Sequence, residues 1–382
     1  MIKKIAILSI SIMVMSGLAL NGVISGIRDS LGLTQAQSEY LVTMQSISVL
    51  IFILLSNIVV GKIGVKKTVT LGLVIASAAG MAPIFLSQYE HILLSRIIFG
   101  AGIGLFNTLA VSYINILYTG HERATMLGYR SAIEALGQSV LTIVAGLLFS
   151  FGWNFTFWVY SVGFVLALFF YLKVPELQIS NNQKDENPRK EKMNPFVYVL
   201  ALFSVMIVIS GAAIGIRFAA MATQIMGTGY DASPILATKP LIVIVAGFFF
   251  GMLNKWLGKK VFYIGLLCFI VSLFLIGASD GNFTILVIGF LLSALPPAWV
   301  FPFIMNKVSQ ITSGKNQTLA MSIILAGANI GAFVMPFVVQ LIERMTGSDA
   351  LETPYPFMGA LLSLIFIGIV FVDFRCYFRK IP

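Results

Sequence analysis

The chain has 382 residues, of which 58% are hydrophobic and only 10% charged, where an ordinary soluble domain is about a quarter charged. A soluble fold of this size cannot hide so much apolar surface from water, so lipid is the missing solvent. The net charge of +10 does not mark a nucleic-acid binder, because Lys and Arg sit in short clusters between apolar runs, as membrane topology signals do.

A helix needs about 20 apolar residues to cross the hydrocarbon core. The first candidate is 5–27. Lys3-Lys4 ahead of it looks like the start of a secretory leader, but the apolar stretch is too long for one. The following candidates are 40–60, 68–87, 92–117, 124–149, 154–172, 196–219, 233–253, 261–278, 283–305, 318–341 and 356–374. They lack the alternation of barrel strands, which leaves helices. The expected fold is an all-α membrane protein with twelve transmembrane helices. Pro296-Pro297 and Pro336 are expected to kink spans ten and eleven.

With the N-terminus placed in the cytoplasm, the inner side collects 19 of the 25 basic residues. The exceptions are Arg28, Arg96, Arg130, Arg217, Lys239 and Arg344. This asymmetry predicts a multi-pass protein of the cell membrane with both termini cytoplasmic. One polar segment interrupts the chain, and its run N-N-Q-K-D-E-N-P-R-K-E-K cannot form a core. It divides the sequence into an N-terminal six-helix bundle, 1–174, a cytoplasmic linker, 175–195, and a C-terminal six-helix bundle, 196–382.

The halves echo each other. Gly61-Lys62-Ile63-Gly64-Val65-Lys66-Lys67 follows span two, and Lys255-Trp256-Leu257-Gly258-Lys259-Lys260 follows span eight. Gly64 and Gly258 are 194 residues apart, as are Gly137 and Gly331. Gly26-Ile27-Arg28 closes span one, and Gly215-Ile216-Arg217 lies near the end of span seven. Such pairing predicts two pseudo-symmetric bundles.

On these residues the chain resembles the major facilitator superfamily over nearly its whole length. The loop after span two is similar to that family's G-x-x-x-D-R/K-x-G-R-K motif, with Lys62, Gly64 and Lys66 kept, Asn57 in place of the first Gly and Gly61 in place of Asp. The acidic partner that helps latch the inward gate in the family is therefore missing from this loop. Arg96-Ile-Ile-Phe-Gly100-Ala-Gly102 resembles the family's R-x-x-x-G-x-G motif. Gly128-Tyr-Arg130-Ser-Ala-Ile-Glu134-Ala-Leu-Gly137 resembles the start of its proton-antiporter motif, of which the G-P and G-G parts are replaced by Leu141-Thr142 and Ala145-Gly146. The resemblance implies alternating access around a central cavity and proton-coupled export of a small organic molecule.

Ionisable residues inside spans are costly and are functional candidates by default. Glu134 lies eleven residues after Arg123, about 16 Å in, near mid-bilayer. Arg130 is on the same helical face, and Arg96 comes from the neighbouring span. The three are expected to form a proton-coupling cluster, with a static buried salt bridge as the alternative. Arg28 and Arg217 stand at the outer ends of spans one and seven, where they would either clamp an anionic substrate bidentately or snorkel to headgroups. Asn107 and Asn329 are cavity candidates for substrate binding. The expected gating residues are Gly61, Lys62, Gly64, Lys66, Gly258 and Lys259.

Cys268 and Cys376 lie too far apart to pair, and neither they nor His91 and His121 show metal-ligand spacing. There is no P-loop and no nucleophile–base set, so the chain reads as a transporter, not an enzyme, without metal or cofactor. The expected partners are a small-molecule substrate, protons and membrane lipid, with no nucleic acid and with the chain acting as a monomer. Uptake or exchange of an organic anion through Arg28 and Arg217, a lipid flippase, and a non-transporting sensor are the other functions that this sequence fits.

Overall fold

The computed structural model describes residues 2–177, 193–227, 229–312 and 314–378. Most of the predicted linker therefore lies outside the described residues. Those described are helical or in turns, with no strand. Lipid offers the backbone no hydrogen bonds, so each span satisfies its own.

Span one is broken where a single helix was expected. It runs as α1 (Ile2–Ser9), 3-10 turns over Ile10–Met13 and Ser16–Gly22, and α2 (Ile24–Leu31), with a bend of 46° between Ile2–Met13 and Ser16–Gly22. Packing explains the break. Gly17 leaves space for the Gln45 side chain, and Gly22 abuts Ser233 of the other half. Gly32, at φ 63°, closes α2 in the left-handed region that glycine tolerates.

Thr34 and Gln37 form a capping box that starts α3 (Gln35–Ile63). Then follow α4 (Val65–Met81), α5 (Tyr89–Leu117), α6 (Gly120–Phe149), a 3-10 turn over Phe155–Ser161, and α7 (Val162–Lys173). The second half comprises α8 (Phe196–Met226), α9 (Ser233–Leu257), α10 (Lys260–Gly277), α11 (Phe283–Leu292), α12 (Phe301–Ile311), α13 (Gly314–Thr346) and α14 (Pro354–Phe378). The expected irregularity in span ten is a π-helical turn at Pro296–Val300, between α11 and α12. By contrast α13 continues through Pro336.

Small residues set the helix spacing, as they do where lipid removes the hydrophobic drive between helices. Gly100 and Gly104 share one face of α5 and meet the α3 backbone at Gln45 and Val49, while Gly102 faces Gly72 and Ala76 of α4. The sequence repeat is physical. Gly137 packs on Ile12 of span one, and Gly331 packs on Val205 of span seven. Gly64 and Gly258 both turn the chain at positive φ, +86° and +52°.

One apolar core is built from residues of 6–177. The other is built mainly from 197–362, with Ile24, Leu41, Val42 and Ile92 joining it from the first half. The two ends of the molecule differ. In α3 the buried side chains run from Ser38 to Ser48, and beyond that Ser56 alone is buried. In α9 they stop at Pro240. The halves are thus pressed together at the end where α3 and α9 begin, the end poor in Lys and Arg. Gln340 donates to Tyr40 Oη (2.9 Å) and Ser25 lies 3.4 Å from Thr223, hydroxyl to hydroxyl, across that contact.

Candidate functional site

Glu134 sits halfway along α6. Arg130 Nη2 approaches its Oε1 at 2.6 Å, off the direction of a hydrogen bond, and that oxygen has no hydrogen-bond donor. The same Nη2 donates to Asn107 Oδ1 from α5 at 3.0 Å. Arg130 Nε is also unpartnered. Glu134, Arg130 and Asn107 therefore form one under-bonded polar cluster in an apolar bundle, with hydrogen-bonding capacity left over for a ligand or a proton.

Arg96 is not in that cluster. It precedes Asn107 by eleven residues on α5, about three turns or 16 Å along the axis. Its guanidinium lies 4.2 Å from the Phe99 ring centroid and 4.9 Å from that of Tyr160. Nη2 donates to Tyr160 Oη (3.3 Å) and reaches Gln45 Oε1 at 3.5 Å. The expectation of a joint Arg96, Arg130 and Glu134 group failed because adjacent spans need not place charges at the same depth.

Arg217 is buried, at 1% exposure, and does not snorkel. Its Nε donates to Glu39 Oε1 (2.6 Å) and its Nη1 to Glu343 Oε1 (2.7 Å). Glu39 belongs to the first half, and Glu343 to the second. Gln35 Nε2 adds a donor to Glu39 Oε1 at 3.0 Å. Arg28 Nη1 in turn donates to Gln35 Oε1 (2.6 Å), and its Nε donates to Asp29 Oδ1 (2.9 Å). The two arginines do share a site. They are joined in a relay from Asp29 through Arg28, Gln35, Glu39 and Arg217 to Glu343.

A cavity of about 670 Å³ opens beside this relay, lined by Arg28, Asp29, Gln35, Arg217, Glu343 and Asp349 among others. Two guanidiniums and three carboxylates, those of Asp29, Glu343 and Asp349, line it, and Glu39 lies buried behind them on Arg217. Each arginine already holds a carboxylate of this chain. The arrangement is a carboxylate-rich lock between the halves and does not present the free bidentate clamp expected for an anion.

Asn329 turns its amide back to Leu325 O of its own helix (3.0 Å) and joins neither cluster. Gly61 and Lys62 are exposed in the last turn of α3. Gly64 lets the Glu176 side chain come close, and Glu176 Oε1 accepts from the Lys66 backbone N–H at 3.0 Å. Lys66 Nζ stands 4.7 Å over the Tyr171 ring. An acidic side chain does meet the loop, that of Glu176 at the start of the segment 175–195. Gly258 ends α9, and Lys259 follows it, exposed.

Glu39 and Glu343 are the residues that sequence reasoning missed. Each fell just outside the predicted spans 40–60 and 318–341, because a charge cuts a hydropathy window short. Arg217, inside a span, was the available signal, since a buried cation calls for a counter-charge.

A family model of the Major Facilitator Superfamily matches residues 6–263. Quinolone resistance protein NorA of Staphylococcus aureus (strain MRSA252) is 23% identical over 355 residues, covering 90% of this chain and 89% of the relative. The nucleoside transporter NupG superposes with a TM-score of 0.75 at 15% identity, over 96% of this chain and 99% of that one. The xylose transporter XylE from E. coli, in an inward-open conformation, gives 0.70 at 17% identity, over 95% and 94%.

Proposed function

The chain belongs to the Major Facilitator Superfamily and is a multi-pass membrane transporter of small molecules, not an enzyme; from that premise we propose that it couples proton movement to the export of a small organic molecule. The observation that carries the coupling is the Arg130–Glu134 ion pair with Asn107, the ionisable group set midway through α6. A carboxylate whose oxygen lacks a donor can accept a proton without breaking a hydrogen bond. Its partner Arg130, already bonded to Asn107, is then freed to meet substrate. Export is supported by the NorA relatives, whose name records resistance to an organic drug, a phenotype that outward transport produces.

The proposed orientation places both termini in the cytoplasm, on the side that collects most Lys and Arg. The basic-poor end, where the halves are closed, then faces outward. The proposed division remains two six-helix bundles, 1–174 and 196–382, joined by the segment 175–195.

The test uses purified protein in liposomes with an imposed pH gradient and an internal pH dye. A fluorescent quinolone and a panel of organic cations and anions serve as cargo. Wild type is expected to dissipate the gradient when cargo is present. Glu134→Gln is expected to keep cargo binding and lose the coupled proton movement. Full proton-driven transport by Glu134→Gln overturns the coupling role, and accumulation of anions alone moves the reading to Arg28 and Arg217.

A further inference from the structure

We propose that Glu39 is the proton-accepting residue of the basic-poor gate, and that its protonation releases the tie to Arg217 and lets the two halves part. The proposal shares with the Glu134 assignment only the premise that protons drive the cycle.

Three observations carry it. First, one guanidinium faces two carboxylates, so the triad of buried Glu39 and Arg217 with the part-buried Glu343 holds one uncompensated negative charge. One added proton makes the triad neutral while Arg217 stays paired with Glu343. Second, Glu39 is fully buried, and its oxygens are unequal. Oε1 accepts from both Arg217 Nε and Gln35 Nε2, whereas the buried Oε2 has no partner. A buried acceptor without a donor is poorly stabilised. A proton can settle on Oε2 without displacing either bond to Oε1. Third, the Arg217–Glu39 contact joins the halves, and protonation turns an ion pair into a hydrogen bond from a cation to a neutral carboxyl, which is weaker and can be given up when the halves part. The other cross-half ties named at this end, Gln340 to Tyr40 and Ser25 with Thr223, are neutral and do not respond.

The surroundings leave few competing groups. Besides Arg217 from α8 and Glu343 from α13, α14 brings the buried Tyr355, whose hydroxyl donates to Ala213 O. Segment α2 brings Arg28 and Asp29 through Gln35. Helix α5 brings Arg96 to the level of Gln45, and carries Tyr89 and the exposed Glu90 and His91 at its start. Arginine and tyrosine keep their charge between about pH 5 and about pH 8. The test also replaces His91, the imidazole at the start of α5. Protons reach Glu39 from the 670 Å³ cavity, since Gln35, Arg217 and Glu343 all line it.

Full-length protein in lipid nanodiscs is spin-labelled at Ser30→Cys and Thr346→Cys, exposed positions of the two halves at this end. The background carries Cys268→Ala, Cys376→Ala and His91→Gln. Distance distributions are read by pulsed paramagnetic resonance without cargo. The open-to-closed ratio is expected to rise roughly tenfold between about pH 8 and about pH 5. Glu39→Gln is expected to hold the open population at both values. Glu343→Gln leaves Arg217 wholly to Glu39, so opening is expected to need more acid. A distribution that ignores pH in the starting protein overturns the proposal, with no need for a folded Glu39 variant. So does a Glu39→Gln protein that stays closed and still opens with acid. Glu134→Gln separates the two assignments: acid-driven opening is expected to persist in it, and its loss would move the sensor to Glu134 and overturn the role of Glu39.

Discussion

Arg28 and Arg217 occupy matching places in the two halves, yet the structure predicts very different costs for removing them. Arg217→Ala deletes a guanidinium that is 1% exposed and serves two carboxylates at 2.6 and 2.7 Å. Glu39, with no exposure at all, is left buried without its counter-charge. Breaking a buried pair from one side costs about 3–5 kcal/mol, most of it the stranded charge. Arg28→Ala breaks a pair whose side chains are 23% and 52% exposed, where the usual worth is about 0–1 kcal/mol. Equilibrium unfolding in mixed micelles can compare them. Thiol labelling of Cys268, partly buried in α10, reports the opening of the second bundle once Cys376 is replaced by Ala. The triple variant Arg217→Met with Glu39→Gln and Glu343→Gln is expected to recover most of the loss, because no charge is stranded. If Arg217→Ala is no less stable than Arg28→Ala, the triad is hydrated and the reasoning built on its burial fails.

Three further outcomes follow from the packing and the hydrogen bonds. A Cβ at Gly102 would lie 2.7 Å from Gly72 O and 2.9 Å from Ala76 Cα, both backbone atoms of α4, so Gly102→Val should cost about 1–3 kcal/mol or more by overpacking. Gly211→Ala, with nothing within 4 Å, should leave thermal stability in detergent unchanged or slightly raised. Glu176→Ala removes the acceptor for the Lys66 N–H, about 1 kcal/mol locally; the expected sign is faster trypsin cleavage at Lys66-Lys67 with little change in global unfolding.

What the sequence disclosed, and what it withheld, divides by range. The spans were legible because length and apolarity alone decide them. The repeat was legible because Gly137, Gly331, Gly64 and Gly258 each meet a steric demand that recurs at the same spacing. The break in span one was not, since the composition of 5–27 is apolar throughout; it arises where Gly17 and Gly22 receive Gln45 and Ser233 from distant helices. Arg130 and Glu134 were paired correctly because four residues on one helix fix their distance. Asn107 was named, but not as the partner of Arg130, and Arg96 was grouped by helix adjacency without regard to depth. The Glu176 contact with the loop after α3 spans more than a hundred residues and leaves no local trace.

The two carboxylate sites differ in connectivity, and the two proposals give them different tasks. Glu134 and Arg130 lie in one helix, so their pairing survives any rigid-body movement of the halves. In the proposed coupling role, a proton gained or lost there would change the local charge without directly altering which end is open. Glu39 and Arg217 lie in different halves, so their pairing exists only while the basic-poor end is closed. In the proposed gating role, a proton there would change the closure without touching the mid-span cluster. With the proposed orientation and coupling, a cycle in which outside protons first unlock the gate at Glu39, and then reach Glu134 through the opened end, would use each site for what its connectivity allows. The order is testable from the variants already described, since a gate held open by Glu39→Gln should let Glu134 respond to outside pH without delay.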